Sequence, residues 1–353
     1  MAYTTINKGS SYFNTVLYTG NGTTQSITGV GFKPDWVWLK SRNNTYYHNL
    51  YDAVRGFSSV YGRVLFTNDT LAEDANAGLT SFNTDGFSLG SEVGQNGNAT
   101  TYVAWNWLGA NTTVSNTSGT ISSTVSANTT AGFSIVSYTG NGSNGATIGH
   151  GLGVSPKMVI VKSRSNTGDW AVYHASLTAG NMVFLNTTGA SGTISGFDNG
   201  GINPVSSTTF TTAQGGVSQN NVNTSGRTYI AYCFAEIRGY SKFASYTGNG
   251  STDGPFIYTG FTPAFIMCKK YSSTGAWVIQ DNKRAYSFNV HAADLNPNYS
   301  EAEESNGSVD LLSNGFKMRN TDGDNNASGQ TYIYMAFAEN PFVTSGGIPT
   351  TAR

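Results

Sequence analysis

Short apolar runs bounded by turn residues recur along the whole chain. WVWLK, MVIVK, FIMCK, YVAWNW, YIAYCF and YIYMAF are rich in β-branched and aromatic side chains, with Gly, Asn, Asp and Ser clusters around them. That pattern predicts strands. Continuous runs such as FIMC suit strands buried on both faces, and alternating ones such as TYIYMAF suit a sheet with one wetter face. Asn-Gly in TGNG and Asp-Gly in TDGF favour the positive φ angles of tight hairpins. Helical periodicity is scarce. Residues 291–305 are the best candidate for a turn or two, and residues 71–77 for one more.

The apolar runs fall into a register. Tyr-Thr-Gly-Asn-Gly begins at Tyr18, Tyr138 and Tyr246, and a Gly-rich turn and a proline follow each time, Pro34, Pro156 and Pro263. Six residues past the proline stand Lys40, Lys162 and Lys269, and eight past it Arg42, Arg164 and Tyr271. Fourteen past it are His48, Trp170 and Trp277, and eighteen past it Asp52, His174 and Asp281. The closing runs start at Tyr102, Tyr229 and Tyr332, with Trp107, Phe234 and Phe337 five residues on. DGFSLGS and NGFKMRN precede the first and third of these. The second has either GFDNG or the strand-like STTFTT around Phe210.

Repetition at this period points to one supersecondary unit used several times. The expected fold is all-β: tandem antiparallel β-sandwich repeats, three related units. Repeat one spans residues 12–109, repeat two 132–239 and repeat three 240–343. An N-terminal segment (1–11) and a C-terminal tail (344–353) flank them. Residues 110–131, Ser/Thr/Asn-rich and uncharged, read as a linker, although Ile121 and Val125 suit a short strand. Units two and three, joined directly, should pack rigidly, and unit one more loosely.

Composition narrows the class. The 353 residues are 38% hydrophobic, 13% aromatic and only 11% charged, where about a quarter is usual. Aromatic richness excludes disorder. Glycines without a three-residue period exclude collagen, and the scarcity of Glu, Lys, Leu and Ala excludes a coiled coil. A net charge of -1 argues against nucleic acid as a partner. No apolar run approaches the roughly 18 residues of a membrane helix, and the N-terminus MAYTTINKGSSYF lacks the pattern of a signal peptide. The expectation is a protein made in a cytoplasm, without membrane insertion. Cys233 and Cys268 lie in apolar runs and read as reduced core thiols.

Candidate chemistry is thin. Lys40, Lys162 and Lys269, with Arg42, Arg164 and Lys270, read as solvated strand ends or edge charges. Asp52, His174 and Asp281 vary in type between copies, which suits a polar strand end better than a catalytic group. The four histidines, His48, His150, His174 and His291, show no zinc spacing. Asp322, Asp324 and Asn326 alternate as in calcium loops, but the Gly and Glu of an EF-hand are absent and a hairpin turn accounts for them. Glycoside hydrolysis needs two carboxylates across a cleft. Glu73 with Asp74, or Glu301, Glu303 and Glu304, are the available acids, each in the loop of a single repeat. Trp36, Trp38, Trp105, Trp107, Trp170 and Trp277 form the pool for sugar stacking, and most read as core. Alternation puts Trp36 and Trp38 on one face, and Trp105 and Trp107 likewise. No catalytic residue and no cofactor are assigned.

YTGNG, FKPDWVWLKSR, DAVRG, TDGFSLGS and TYVAWNW together resemble a repeat module of virion structural proteins of marine tailed phages, notably those of cyanobacteria. AFAENPFVTSGGIPTTAR resembles the ending of those proteins. Unit two departs most, with YHASL in place of YDAVRG. The resemblance implies a non-enzymatic virion protein, a tail fibre or tail-associated host-adhesion protein. The alternative is a capsid decoration or head-vertex protein. Implied partners are other virion proteins and a host surface glycan or protein. The surplus of aromatics suits a homo-oligomer, a trimer first, that buries apolar strands against further copies of the chain.

Overall fold

The computed structural model describes residues 4–284 and 289–341. Residues 1–3 and the C-terminal tail 344–353 lie outside them. Antiparallel strand ladders dominate. Among the described residues, helix is confined to Val93–Asn96 and the 3₁₀ turns Gly9–Ser11 and Ile194–Gly196. The helical turns expected in 291–305 and 71–77 do not form. His291–Asp294 is a strand laddered to Glu304–Leu312, and Asp74–Ala75 pairs with Tyr61–Phe66.

Each sequence unit supplies two sheets, a large one that holds the closing run and a second, small one, although in unit three both have four strands. In unit one the large sheet runs Phe13–Thr19, Thr101–Trp107, Trp36–Ser41, Asn49–Asp52. Unit two repeats that order with Phe133–Thr139, Thr228–Phe234, Met158–Ser163 and Ala171–His174. Unit three does so with Ser241–Thr247, Thr331–Pro341, Phe261–Lys270 and Trp277–Asp281. The register matches as well. Trp107 lies opposite Trp36, Phe234 opposite Met158 and Phe337 opposite Phe265, each two residues past its unit's proline.

Strand alternation explains the continuous apolar runs. Trp36, Trp38, Trp105 and Trp107 face a core shared by all three units, while Val37, Leu39 and Ala104 face a local core under the small sheet. In unit two, Met158, Ile160, Tyr232 and Phe234 point to the shared core, and Val159, Val161, Ala231 and Cys233 to the local one. The three closing aromatics meet in the shared core. Trp107 lies 5.7 Å and Phe234 6.0 Å from Phe337, ring centre to ring centre. Trp36 bridges Trp107 and Phe234 at 4.4 and 5.7 Å. All six tryptophans are at most 1% exposed, so none can stack on a sugar. Cys233 and Cys268 are free and buried.

The small sheets settle the ambiguous stretch of unit two. Thr209–Ala213, from STTFTT, takes the place of Gly86–Leu89 and Gly315–Met318. Its Phe210 meets Tyr138 edge-on at 6.0 Å, as Phe87 meets Tyr18 and Phe316 meets Tyr246.

The reading of 110–131 as a linker is corrected. Ser123–Asn128 adds a strand to the edge of the second large sheet, and Val114–Asn116 pairs with it in turn. Val125 is buried, and Asn128 Nδ2 donates to the carbonyls of Leu108 and Gly109. Backbone hydrogen bonding therefore ties this polar stretch down, and unit one does not hang on a tether.

YTGNG forms the same hairpin brace three times. The tyrosine hydroxyl donates to a backbone carbonyl, Gln95 for Tyr18, Val222 for Tyr138 and Asn325 for Tyr246. Its ring stacks on the closing tyrosine at 4.9–5.2 Å. A buried asparagine, Asn96, Asn223 or Asn326, accepts from the backbone N–H of the motif asparagine and donates to its side-chain oxygen. The first glycine has no room for a side chain: a Cβ on Gly248 would stand 2.5 Å from the Ala327 carbonyl oxygen. The second, Gly250, holds a φ of 68°. Gly248→Ala is expected to lose about 2 kcal/mol or more in urea unfolding, and Gly189→Ala, whose nearest neighbour is 3.6 Å off, to stay within about 0.5 kcal/mol.

Candidate functional site

Most of the polar residues singled out in the sequence lie at the joints between units. A loop of each unit docks on the middle strand of the next, and the third unit docks back on the first. Glu73 N–H donates to the Arg164 carbonyl at 2.7 Å, Ser191 N–H to that of Tyr271 at 2.9 Å, and Glu303 N–H to that of Arg42 at 2.7 Å. The indole of Trp170 donates to the carbonyls of Phe66 and Asp69, and that of Trp277 to Phe184. The units therefore close into a ring around the shared core.

Two joints carry buried charge in the same arrangement. At the joint of units one and two, Arg55 pairs with Asp52 and donates to the Leu50 carbonyl and to Glu73. Glu73 receives Arg164 in a two-pronged pair at 2.8 and 3.0 Å, and Arg63 at 3.0 Å. The Tyr232 hydroxyl donates to Asp52 at 2.8 Å. At the joint of units three and one, Arg284 pairs with Asp281 at 2.6 Å and with Glu303 at 3.1 Å, and donates to the Ile279 carbonyl. Glu303 receives Arg42 at 2.8 and 3.0 Å, and the Trp105 indole donates to Asp281 at 2.9 Å. Burial would raise the carboxyls of Asp281 and Glu73. The arginines outweigh it and hold both below the usual carboxylate range.

The joint of units two and three lacks this charge set. His174 replaces the aspartate, Leu177 the first arginine, Ser191 the glutamate and Tyr271 the second arginine. His174 Nδ1 accepts from Ser176 N–H, so Nε2 carries the proton and donates to the Tyr334 carbonyl at 3.1 Å. Burial pulls the His174 imidazole down to about 4. A lone buried ion is far costlier than a neutral pair. Polar residues at these positions therefore change as a set.

The reading of the lysines as solvated strand ends is corrected. Lys40, Lys162 and Lys269 are fully buried, and each Nζ donates to the carbonyl of the next residue. Lys162 and Lys269 also reach the docked loop, at the carbonyls of Thr70 and Thr188. Burial lowers Lys40 to about 7, against the pull of Glu301 and Glu303, and lowers Lys162 and Lys269 to about 8. Asp52, His174 and Asp281 do end their strands, and they too are buried. Local pattern could not show this, because the neighbour that buries them comes from another unit.

Asp322, Asp324 and Asn326 do not form one ligand set. The Asn326 amide is spent on its hairpin, donating to Ser251 and Asn320 carbonyls, as Asn96 and Asn223 do in hairpins without the aspartates. Asp324 Oδ1 accepts from Ala276 N–H. Among the described residues, no group of three or more His, Cys, Asp or Glu side chains is placed to hold a metal ion. The acids Glu73 and Glu303 belong to the joints, while Glu301 and Glu304 face a cleft of unit three.

Two clefts have linings that differ from anything repeated. One, about 400 Å³ between unit one and the 110–131 stretch, has a wall of Phe57 and Phe82, 5.8 Å apart edge-to-face, and a rim of Thr80, Ser81, Asn111 and Thr112. Buried Asp35 lines it and accepts from Asn111 N–H at 3.1 Å; burial raises its carboxyl to about 6. The other, about 290 Å³ in unit three, is acidic.

A family model described as a domain of unknown function, DUF7483, matches residues 8–341, and the chain belongs to that family. No curated protein and no solved structure matches it.

Removing one member of a buried charge set should cost more than replacing the set. Glu73→Ser is expected to cost about 3 kcal/mol or more in chemical unfolding. Asp52→His, Arg55→Leu, Glu73→Ser and Arg164→Tyr made together should recover part of it. Acid gives a second check. His174 has its imidazole depressed from 6.5 to about 4, so between those pH values the unfolded chain binds a proton that the native chain does not. Stability should fall as pH drops from 6.5 to 4, and more shallowly in His174→Gln, as read by melting temperature across that range.

Proposed function

We propose that the chain is a non-enzymatic virion structural protein of a tailed phage, a tail fibre or tail-associated host-adhesion protein. The observation that carries this reading is the use of the polar groups. The buried Asp, Glu, His, Lys and Arg of the matched positions brace one unit against the next. The family resemblance of the repeated motifs supports the same reading. A rigid body with a charge-poor surface of Asn, Ser, Thr and Gly loops suits a part that must survive outside a cell and present contact surface.

The Phe57–Phe82 cleft is the surface offered to a host sugar. An apolar ring face can lie on Phe57, which is 37% exposed, while hydroxyls meet the Thr, Ser and Asn rim. The aromatic surplus that suggested a trimer is largely spent inside one chain, so assembly into a homo-oligomer would use other faces. The second reading, a capsid decoration or head-vertex protein, shares the same physics and differs in location.

Gold-labelled antibody on intact particles is expected to mark the tail. Label on the head would favour decoration, and absence of the protein from purified particles would reject both. Phe57→Ala is expected to reduce host adsorption several-fold with an unchanged melting temperature. Equal adsorption would remove the cleft from the adhesion surface.

A further inference from the structure

The cleft beside Phe57 and Phe82 has a floor as well as walls. Asp35 and Ser126 line it, and each is only 1% exposed. Asp35 stands just before strand Trp36–Ser41, and Ser126 on the edge strand Ser123–Asn128, so the floor joins two distant stretches of the chain. Among the residues that line the cleft, Lys33 is the other charged one. It acts on Asp35 through its field alone and offsets only part of the burial. Asp52, whose charge is met by Arg55, pushes Asp35 the same way as burial does.

The fold leaves both floor groups with bonding capacity to spare. A carboxylate has room for about four donors. Asn111 N–H donates to Asp35 Oδ2 at 3.1 Å, and the Gly109 N–H also favours the charged form. No side-chain donor among the described residues reaches it. Ser126 Oγ accepts from Ala110 N–H at 3.0 Å, while its own O–H has no acceptor among the described residues. The repeated framework does not ask for this floor. Asp35 directly follows Pro34, where Lys157 and Ala264 follow Pro156 and Pro263. Gly109 stands where the other units carry Glu236 and Glu339. A Cβ on Gly109 would lie 3.0 Å from both Asp35 Oδ2 and Ser126 Oγ, so the bare glycine puts no side chain against the pair.

We propose that Asp35 and Ser126 are the groups with which this cleft selects an uncharged sugar, Asp35 accepting from its hydroxyls and Ser126 donating to one. The inference rests on the reading of the cleft as a sugar surface and names the class of sugar it takes. A hydroxyl both donates and accepts, so a neighbouring pair on a sugar ring meets both floor groups while the ring face lies on Phe57. The ammonium of an amino sugar only donates, which leaves Ser126 unmet, and Lys33 repels it. A uronate or sulfate would bring a second negative charge against a buried carboxylate.

An array of neutral, uronate-bearing, sulfated and amino oligosaccharides, read with the full chain at neutral pH, tests this. At least one neutral sugar is expected to bind, and the acidic and amino sugars to stay blank. Asp35→Asn keeps the size of the side chain and an acceptor for Asn111, and should weaken binding roughly tenfold at an unchanged melting temperature. Ser126→Ala should weaken it in the same sense. The parent chain gives a check that needs no substitution. The Asp35 carboxyl is charged above about 6 and takes a proton below it, so binding should fall as pH drops through that value, and Asp35→Asn should lose this dependence. Preference for acidic or amino sugars, no bound neutral sugar, or binding by Asp35→Asn equal to the parent's would each overturn the assignment. Phe57→Ala separates the two levels. If it abolishes binding and Asp35→Asn does not, sugar lies in the cleft without Asp35; if neither variant matters, the cleft reading falls as well.

Discussion

A buried charge cannot lose its partner, and that constraint governs how the three units hold together. At two joints an aspartate, two arginines and a glutamate form one chain of contacts across the boundary. At the third, every one of those positions is neutral. No joint carries half of the set. An isolated ion without water would cost more than the docked loop could return, so the positions can only be charged together or uncharged together.

The ring geometry follows from the same joints. Each unit alone would expose the inner face of its large sheet, with Trp36, Trp107, Phe234 and Phe337 on it. Closing three such faces on one axis buries them all. The outer faces are covered by the small sheets, so the large-sheet strands are wrapped on both sides. This is why so few charged residues suffice. The matched lysines and acids lie inside, and the surface is carried mainly by uncharged polar loops.

Function is then best sought where the units differ. The brace of YTGNG, the stacked tyrosines and the shared core serve the fold alike in every unit. The cleft beside Phe82 in unit one recurs in unit three beside the matching Leu311, so its aromatic lining sets it apart and not its place in the framework.

Period-two patterning and turn chemistry were enough to reveal strands, the threefold register and which runs are buried on both faces, since each depends on neighbours a few residues apart. The tryptophans and cysteines were legible as core for the same reason. Lys40, Lys162 and Lys269 were misread, and so was the stretch 110–131, because polar residues look solvated until a distant segment covers them. Arg42 and Glu303 are 261 residues apart, and Tyr232 and Asp52 180. Nothing local links such pairs. Only the closure of the ring brings them within hydrogen-bonding reach.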